Sequence, residues 1–413
     1  MKKIHQVGLS LVVSTLLVCS STAVAGDGNG EKYAGKSSNA KNVIFMVPDG
    51  LGVSNVTAAR IFQNGPDGAR LTLETLEVIG YQSTHSENST VTDSAAAASA
   101  WAAGEKFANG EISCHAYNGV DCNNAPATLL EIARDMGKMT GLVATSQINH
   151  ATPAAFGAHT HSRRCGAEIA RQYVMETSVD IILGGGMYYT SSICDNYTDS
   201  YAWIDDADNG RPEFIEAALA RGYSYADTET ELNSAVNEGA LKVLGMFDPE
   251  DDGKTVEMFR VDGTPYPSEE PTLAEMTSAA LDLLEEGENG FFLVVEGSQI
   301  DWEDHDNSIE GQIAETLGFN EAVEQVLAWI NVNESRKNHT LVIIAPDHDT
   351  AGFAITGPYG ALSEQGEIVG DGWVSGDHTA TDVVIWSEGP GCQYLGKALD
   401  NTDLFHIIKD VMK

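Results

Sequence analysis

Short apolar runs recur along the chain without clean alternation: "NVIFMV" (42–47), "TGLVAT" (140–145), "GFFLVV" (290–295), "TLVIIA" (340–345) and "TDVVIW" (381–386). Strands buried on both faces of a largely parallel sheet read this way, because neither set of alternate side chains meets water. Between them lie stretches of helical period, at 129–137, 272–286 and 311–330. In the last of these Ile313, Leu317, Phe319, Val323, Val326, Leu327 and Ile330 fall on one side. Strand–helix alternation over this length predicts an α/β fold: a central, mostly parallel sheet flanked by helices on both faces. Residues 187–270 and 354–377, rich in Gly, Asp and Tyr, break the pattern and are expected as surface insertions leaving the sheet. "DIILGGG" (180–186) lacks the Lys-Ser/Thr ending of a phosphate loop and reads as a strand end packed tightly.

The N-terminus does not belong to this pattern. A basic start, Lys2-Lys3, precedes a mostly apolar stretch over 4–18 and a small-residue site, Ala23-Val24-Ala25. This predicts a secretory signal over residues 1–25, cleaved before Gly26, and a single domain over 26–413. A periplasmic or secreted location follows, and no later apolar run approaches the ~20 residues that span a bilayer. Export permits disulfides; Cys114 with Cys122 and Cys165 with Cys194 are the local pairs, leaving Cys392 alone. Net charge is −38, from 61 acids against 23 bases. Such a surface excludes nucleic acid and anionic membranes as partners, and it suits a salty environment in which carboxylate repulsion is screened.

The chemistry-bearing residues follow the strands. "NVIFMV" leads to Asp49-Gly50, "GFFLVV" to Glu296 and then Asp301 and His305, and "TLVIIA" to Asp347-His348. His150 and Thr152 follow "TGLVAT", and His378 precedes "TDVVIW". Carboxyl ends of strands form the ligand crevice of an open α/β sheet. Each residue alone has a bland explanation: Asp-Gly makes turns, and a single His is ordinarily a satisfied polar group. Asp301 and His305 are sharper, since i, i+4 spacing sets both on one helical face. Four carboxylates and three imidazoles at one sheet edge are costly to bury without cations, so a multi-metal site is expected, with mixed N/O ligands suiting zinc and an all-oxygen set magnesium.

"TVTDSAAAASAWAAG" (90–104) sets Ser94 at the start of an alanine helix. A serine there is ordinarily an N-cap, yet the alanines also clear room for close approach, and helix N-termini favour anions. "HTHSRR" (159–164) adds Arg163 and Arg164, and a guanidinium fork matches phosphate oxygens.

Taken in order, "VPDG", "VTDSAAAASAWAAGEK", "HATPAAFGAHTHSRR", "EGSQIDWEDHDN", "PDHDTAGF" and "SGDHTATDVVIW" resemble the alkaline phosphatases over about residues 42–390, and most of all forms from marine or halotolerant bacteria. The resemblance implies an alkaline-phosphatase-like fold and a phosphomonoester hydrolase that forms a phosphoserine intermediate at alkaline pH. It implies Ser94 as nucleophile and Arg163, rather than Arg164, as phosphate clamp, with Asp93 holding Arg163. It further implies two Zn2+, one held by Asp301, His305 and His378 and the other by Asp49, Asp347 and His348, and one Mg2+ held by Asp49, Thr152 and Glu296. Substrates would be small phosphomonoesters and the assembly a homodimer. Some members carry Asp where this chain has His150 and Lys where it has Trp302. The first exchange alters magnesium affinity or the metal at that site; the second implies weaker phosphate binding and faster product release. A sulfatase or phosphodiesterase on the same scaffold is the alternative within enzymes, but no CxPxR-type motif surrounds Ser94, and diesterases generally lack the matching arginine. A purely cation-binding protein is the alternative outside them; "DPEDDGKTVEMF" (248–259) has Ca2+-loop acids, but Phe259 stands where the closing Glu belongs, so it reads as a solvated loop.

Overall fold

In the computed structural model, residues 39–115, 122–186, 211–247 and 269–412 are described. The signal segment, Cys194 and the acidic stretch 248–259 lie outside them. Fourteen strands are present among the described residues: β1 Asn42–Pro48, β2 Val78–Ser83, β3 Met139–Gln147, β4 Ile181–Gly185, β5 Ser224–Ala226, β6 Val243–Met246, β7 Phe291–Gly297, β8 Thr340–Ile344, β9 Asp349–Thr350, β10 Ala354–Gly357, β11 Gly370–Gly372, β12 His378–Thr379, β13 Val383–Glu388 and β14 Ala398–Asp400. Ten of them form one sheet in the order β14-β2-β13-β8-β1-β7-β3-β4-β6-β5.

From β8 to β5 every pairing is parallel, whereas β13 runs antiparallel to both β8 and β2. The apolar runs lack alternation because both faces are covered. Val43, Phe45 and Val47 of β1 enter one core and Ile44 and Met46 the other. The stretches of helical period become helices Leu129–Asp135, Leu273–Leu284 and Ile309–Ile330. The last two pack together over the second core. "DIILGGG" is β4, and its tight packing is real: a Cβ on Gly184 would lie 2.9 Å from the Ala144 carbonyl oxygen.

Residues 187–270 do not simply leave the sheet as expected, since β5 and β6 fall within them and build its far edge. "SYA" and "VLGM" are too short to display a strand period, which is why pattern alone passed over them. Residues 354–377 do depart from the sheet and carry the separate β10–β11 hairpin. One predicted disulfide, Cys114–Cys122, is formed, with Cα atoms 5.2 Å apart. Cys165 is also disulfide-bonded, and Cys392 is buried and takes no part in a disulfide.

Candidate active site

Strands β8, β1, β7 and β3 are neighbours at the middle of the sheet and end at one edge. Asp49 follows β1, Glu296 closes β7, Asp347 and His348 follow β8, and Thr152 sits on helix Ala151–Gly157 after β3. His378 precedes its strand in sequence, yet it reaches the same edge because β13 is antiparallel: its N-terminal end lies beside the carboxyl end of β8. The short β9–β12 ladder fixes it there, pairing His378 with Thr350. Gly50 lets the turn after β1 close: its φ is +74°, and a Cβ would come within 2.9 Å of the Asp301 Cα.

The donors fall into two groups joined by His348. Asp49, Asp347 and His348 present ligand atoms within 4.8 Å of one another, as do Asp301, His348 and His378. His348 Nε2 lies 3.1 Å from Asp347 Oδ2 and 3.6 Å from Asp49 Oδ1, with all three side chains fully buried. His305, on the helical turn shared with Asp301, approaches Asp301 Oδ2 at 3.4 Å and His378 Nε2 at 3.1 Å. Backbone carbonyls orient the outer imidazoles: Gly376 O is 2.6 Å from His305 Nδ1, and Thr92 O is 2.9 Å from His378 Nδ1. Each ring therefore commits its Nδ1 proton to a carbonyl and turns Nε2 inward, the nitrogen that metal coordination uses.

Electrostatics point to missing positive charge. Burial, followed by the charges of Asp347, Asp301 and Glu296, holds the Asp49 carboxyl well above the usual range. Burial pushes Glu296 up to about 7, although Ser298 donates to its Oε2 at 2.7 Å. Asp301 moves the other way, because its hydrogen bond to His305 and the three nearby imidazoles outweigh burial; His305 rises in turn to about 9, chiefly through Asp301. Among the described residues, both oxygens of Asp49, Glu296 Oε1 and Thr152 Oγ1 are buried without a hydrogen-bond partner. Orphaned buried oxygens are rare and costly. The two mixed sets suit zinc, and Asp49, Thr152 and Glu296, all oxygen donors, suit magnesium. The residues present thus fit the ions.

Ser94 opens helix Ser94–Ala103, every residue of which is buried. Asp93, not Ser94, is the N-cap: its Oδ1 accepts the Ala96 amide at 3.0 Å. The Ser94 hydroxyl is thereby released from capping and lies 3.3 Å from His348 Nε2. Asp93 Oδ2 accepts from Arg163 Nη1 at 3.1 Å and from the Gly110 amide at 3.0 Å. Arg163 Nη2 reaches His150 Nε2 at 3.1 Å. Burial and the Arg163 charge lower His150 to about 3, so its ring is neutral and serves as the acceptor. Trp302 stands edge-on to His150, with centroids 5.8 Å apart. Arg164 is exposed. The site thus brings together all the predicted strand-end residues, Ser94 and Arg163.

Sequence reasoning passed over Thr350, which donates to Asp301 Oδ1 at 2.5 Å and lies 3.2 Å from His348 Nδ1, bridging the two donor groups. Its place two residues beyond His348, on one face of an extended segment, was the available signal. Asp304 was missed as well. It is buried, and the Asn55 amide reaches both of its oxygens, at 3.0 and 2.7 Å. Nothing in its spacing distinguishes it from a surface acid.

The chain matches the family model "Alkaline phosphatase" over residues 40–369. It is 32% identical to alkaline phosphatase 4 of Bacillus subtilis, covering 90% of this chain and 89% of that protein. The solved alkaline phosphatase of the Antarctic bacterium TAB5 superposes with a TM-score of 0.70 at 28% identity, over 91% of this chain and 99% of that one. A His-to-Glu variant of the TAB5 enzyme, with Mg bound in its M3 site, superposes with a TM-score of 0.72, also at 28% identity, over 91% and 99% of the two chains. No helix among the described residues is long and apolar enough to cross a membrane. With this fold, these buried donors and these relatives, the chain belongs to the alkaline phosphatase family and is a metal-dependent phosphomonoester hydrolase.

Proposed function

We propose that Ser94 is the nucleophile of this phosphomonoesterase and Arg163 its phosphate clamp. The observation carrying this reading is the Ser94 hydroxyl, 3.3 Å from His348 Nε2 in the buried donor cluster, freed for chemistry because its neighbour Asp93 supplies the cap. Ser94 Oγ attacks phosphorus as the ester P–O bond breaks and the alcohol leaves. Water then displaces the seryl oxygen in line, which releases inorganic phosphate and restores the hydroxyl. Arg163, held at both ends by Asp93 and His150, presents its guanidinium to the phosphoryl oxygens. Amides of the first turn of the Ser94 helix add partial positive charge. Asp301, His305 and His378 would hold one Zn2+, Asp49, Asp347 and His348 a second, and Asp49, Thr152 and Glu296 a Mg2+. Bound there, the ions would supply Lewis acidity and charge for both transfers; the optimum is alkaline because the seryl hydroxyl and the attacking water both react deprotonated.

His150 stands between the clamp and the magnesium set, so the third site is the one whose metal is most open to exchange. Trp302 adds no cation to the pocket, and phosphate leaves readily. The leader over residues 1–25 directs export to the periplasm or beyond, and a homodimer of single-domain chains (26–413) is the assembly. The acidic surface adapts the enzyme to salt. Metal analysis of the purified protein, with p-nitrophenyl phosphate turnover before and after EDTA, tests the site. Turnover by protein lacking zinc would overturn the ligand assignment; full turnover by Ser94→Ala would overturn the nucleophile.

A further inference from the structure

A second cluster of metal-type donors lies outside the strand-edge site. Glu87, Glu111 and His115 present ligand atoms within 4.8 Å of one another. Glu87 lies in the loop after β2 and Glu111 and His115 lie beyond the Ser94 helix; none contributes to the donor groups around His348. We propose that these three residues form an additional structural site for a zinc-class dication, with Glu105 as the residue that orients His115.

The imidazole carries the argument. His115 Nε2 lies 2.9 Å from Glu105 Oε2, so the ring donates its proton to that carboxylate. Its other nitrogen, Nδ1, is buried and has no hydrogen-bond partner among the described residues. The tautomer that serves Glu105 leaves Nδ1 with a bare lone pair, and the nearest anion to it is Glu87 Oε2 at 3.7 Å. A carboxylate on one ring nitrogen, with the other aimed at a gap between acids, is the carboxylate–histidine–metal arrangement. The ring is fixed independently, stacked on Phe107 with centroids 4.2 Å apart. Its neighbour Cys114 is anchored by the disulfide to Cys122. Glu111 is buried, and the Ala108 amide holds its Oε2 at 2.8 Å. Glu87 is the outermost of the three donors, on the exposed side of the cluster. One imidazole with two carboxylates suits zinc better than calcium or magnesium, which take oxygen ligands.

Such an ion would join two chain segments that flank the Ser94 helix. The Glu87 amide already donates to the Phe107 carbonyl at 2.8 Å. Asn109 bonds Asn88 Oδ1 at 2.9 Å and accepts the Asp93 amide at 3.2 Å. The cluster therefore closes the loop whose other end caps the helix, and its role is to stiffen that loop rather than to touch substrate.

The test is zinc content per chain of the full-length enzyme, equilibrated with buffered free Zn2+ and gel-filtered, beside His115→Gln, Glu87→Gln and Glu105→Gln. The expected result is one zinc fewer in H115Q, weaker retention in E87Q, and a roughly 10–100-fold loss of affinity at that site alone in E105Q. Turnover of p-nitrophenyl phosphate should stay at the wild-type level in all three. Equal zinc in wild type, H115Q and E87Q would overturn the proposal. Loss of zinc together with turnover in a folded H115Q would overturn it too, because the lost ion would then belong to the catalytic centre. If H115Q does not fold, the exposed Glu87 substitution decides alone.

Discussion

Arg163 reaches His150 Nε2 with Nη2 at 3.1 Å while its Nη1 donates to Asp93 Oδ2 at 3.1 Å, so the guanidinium is gripped from both sides by groups of different charge. A lysine has a single ammonium and cannot span both. Arg163→Lys should lower kcat/KM for p-nitrophenyl phosphate by roughly 10–100-fold, or about 1.4–3 kcal/mol. His150→Asp places an anion in the oxygen-donor set and should tighten magnesium binding and slow phosphate release. Steady-state kinetics with phosphate inhibition, at varied free Mg2+, checks both; unchanged phosphate inhibition in H150D would count against this geometry.

Asp93 has two duties that substitution can separate. Its Oδ1 caps the helix and its Oδ2 braces Arg163. Asp93→Asn keeps an oxygen for the Ala96 amide but loses the charge beside Arg163, so activity should fall while stability stays near wild type. Asp93→Ala should lose activity and also about 1 kcal/mol of stability. Ser94→Ala, at the position after the cap, should abolish turnover with little effect on melting. Thermal melts beside pNPP assays distinguish the three, and a large destabilisation in S94A would show that the hydroxyl has a structural task.

Much of this site was legible because the chain announces it at strand ends. Asp49, Glu296 and Asp347-His348 each follow a fully apolar run, and buried parallel strands leave little ambiguity about where such a run stops. His378 was harder, since its strand comes after it; only the antiparallel direction of β13 explains why it belongs. The division of labour between Asp93 and Ser94 was not legible. Both are good caps, and only backbone geometry reveals which is extended. Thr350 and the carbonyls of Thr92 and Gly376 act across the fold, and residue types carry no trace of a carbonyl's direction. The edge strands β5 and β6 were hidden by their brevity.

Chelation should make stability depend on pH in a particular direction. In the metal-free protein Asp49 is held well above the usual range and Glu296 near 7. A carboxyl raised in the folded state keeps its proton after the unfolded chain has lost it, near pH 4.3. Folding is therefore destabilised progressively as pH rises from about 4.3 through 7. Asp301 and Asp347, which are lowered, act with the opposite sign but below this window. EDTA-stripped protein should melt at lower temperature at pH 8 than at pH 5, and added Zn2+ and Mg2+ should remove most of the difference. A flat profile in the stripped protein would disprove the charge crowding.

His159 offers a pH effect independent of the metals. Its Nε2 lies 3.1 Å from Glu131 Oε2 and its Nδ1 2.7 Å from the Ser113 carbonyl, so both nitrogens donate. Burial alone would lower its pKa, but the bond and charge of Glu131 outweigh burial and raise it. A raised histidine contributes its stabilisation in full below about pH 6.5 and loses it as pH climbs through the folded value. His159→Gln should cost roughly 1–2 kcal/mol at pH 6 and less at pH 9. Denaturant melts at the two values check it; an equal cost at both would mean that the ring is neutral throughout.

The surface charge predicts a response to salt of the same physical kind. With 61 acids against 23 bases and a net charge of −38, the folded chain repels itself at low ionic strength. The screening length falls from about 10 Å at 0.1 M salt to about 3 Å at 1 M, so repulsion between neighbouring surface carboxylates fades over that range. Buried contacts such as Arg171 with Glu168 are screened far less and should not offset the gain. The melting temperature should therefore rise from 0.1 to 1 M NaCl in the metal-loaded enzyme. Sodium sulfate also strengthens apolar burial, so NaCl and KCl at matched ionic strength are the informative salts. If melting is equal or higher at low salt, the acidic surface is not an adaptation to salt, and its function reduces to solubility.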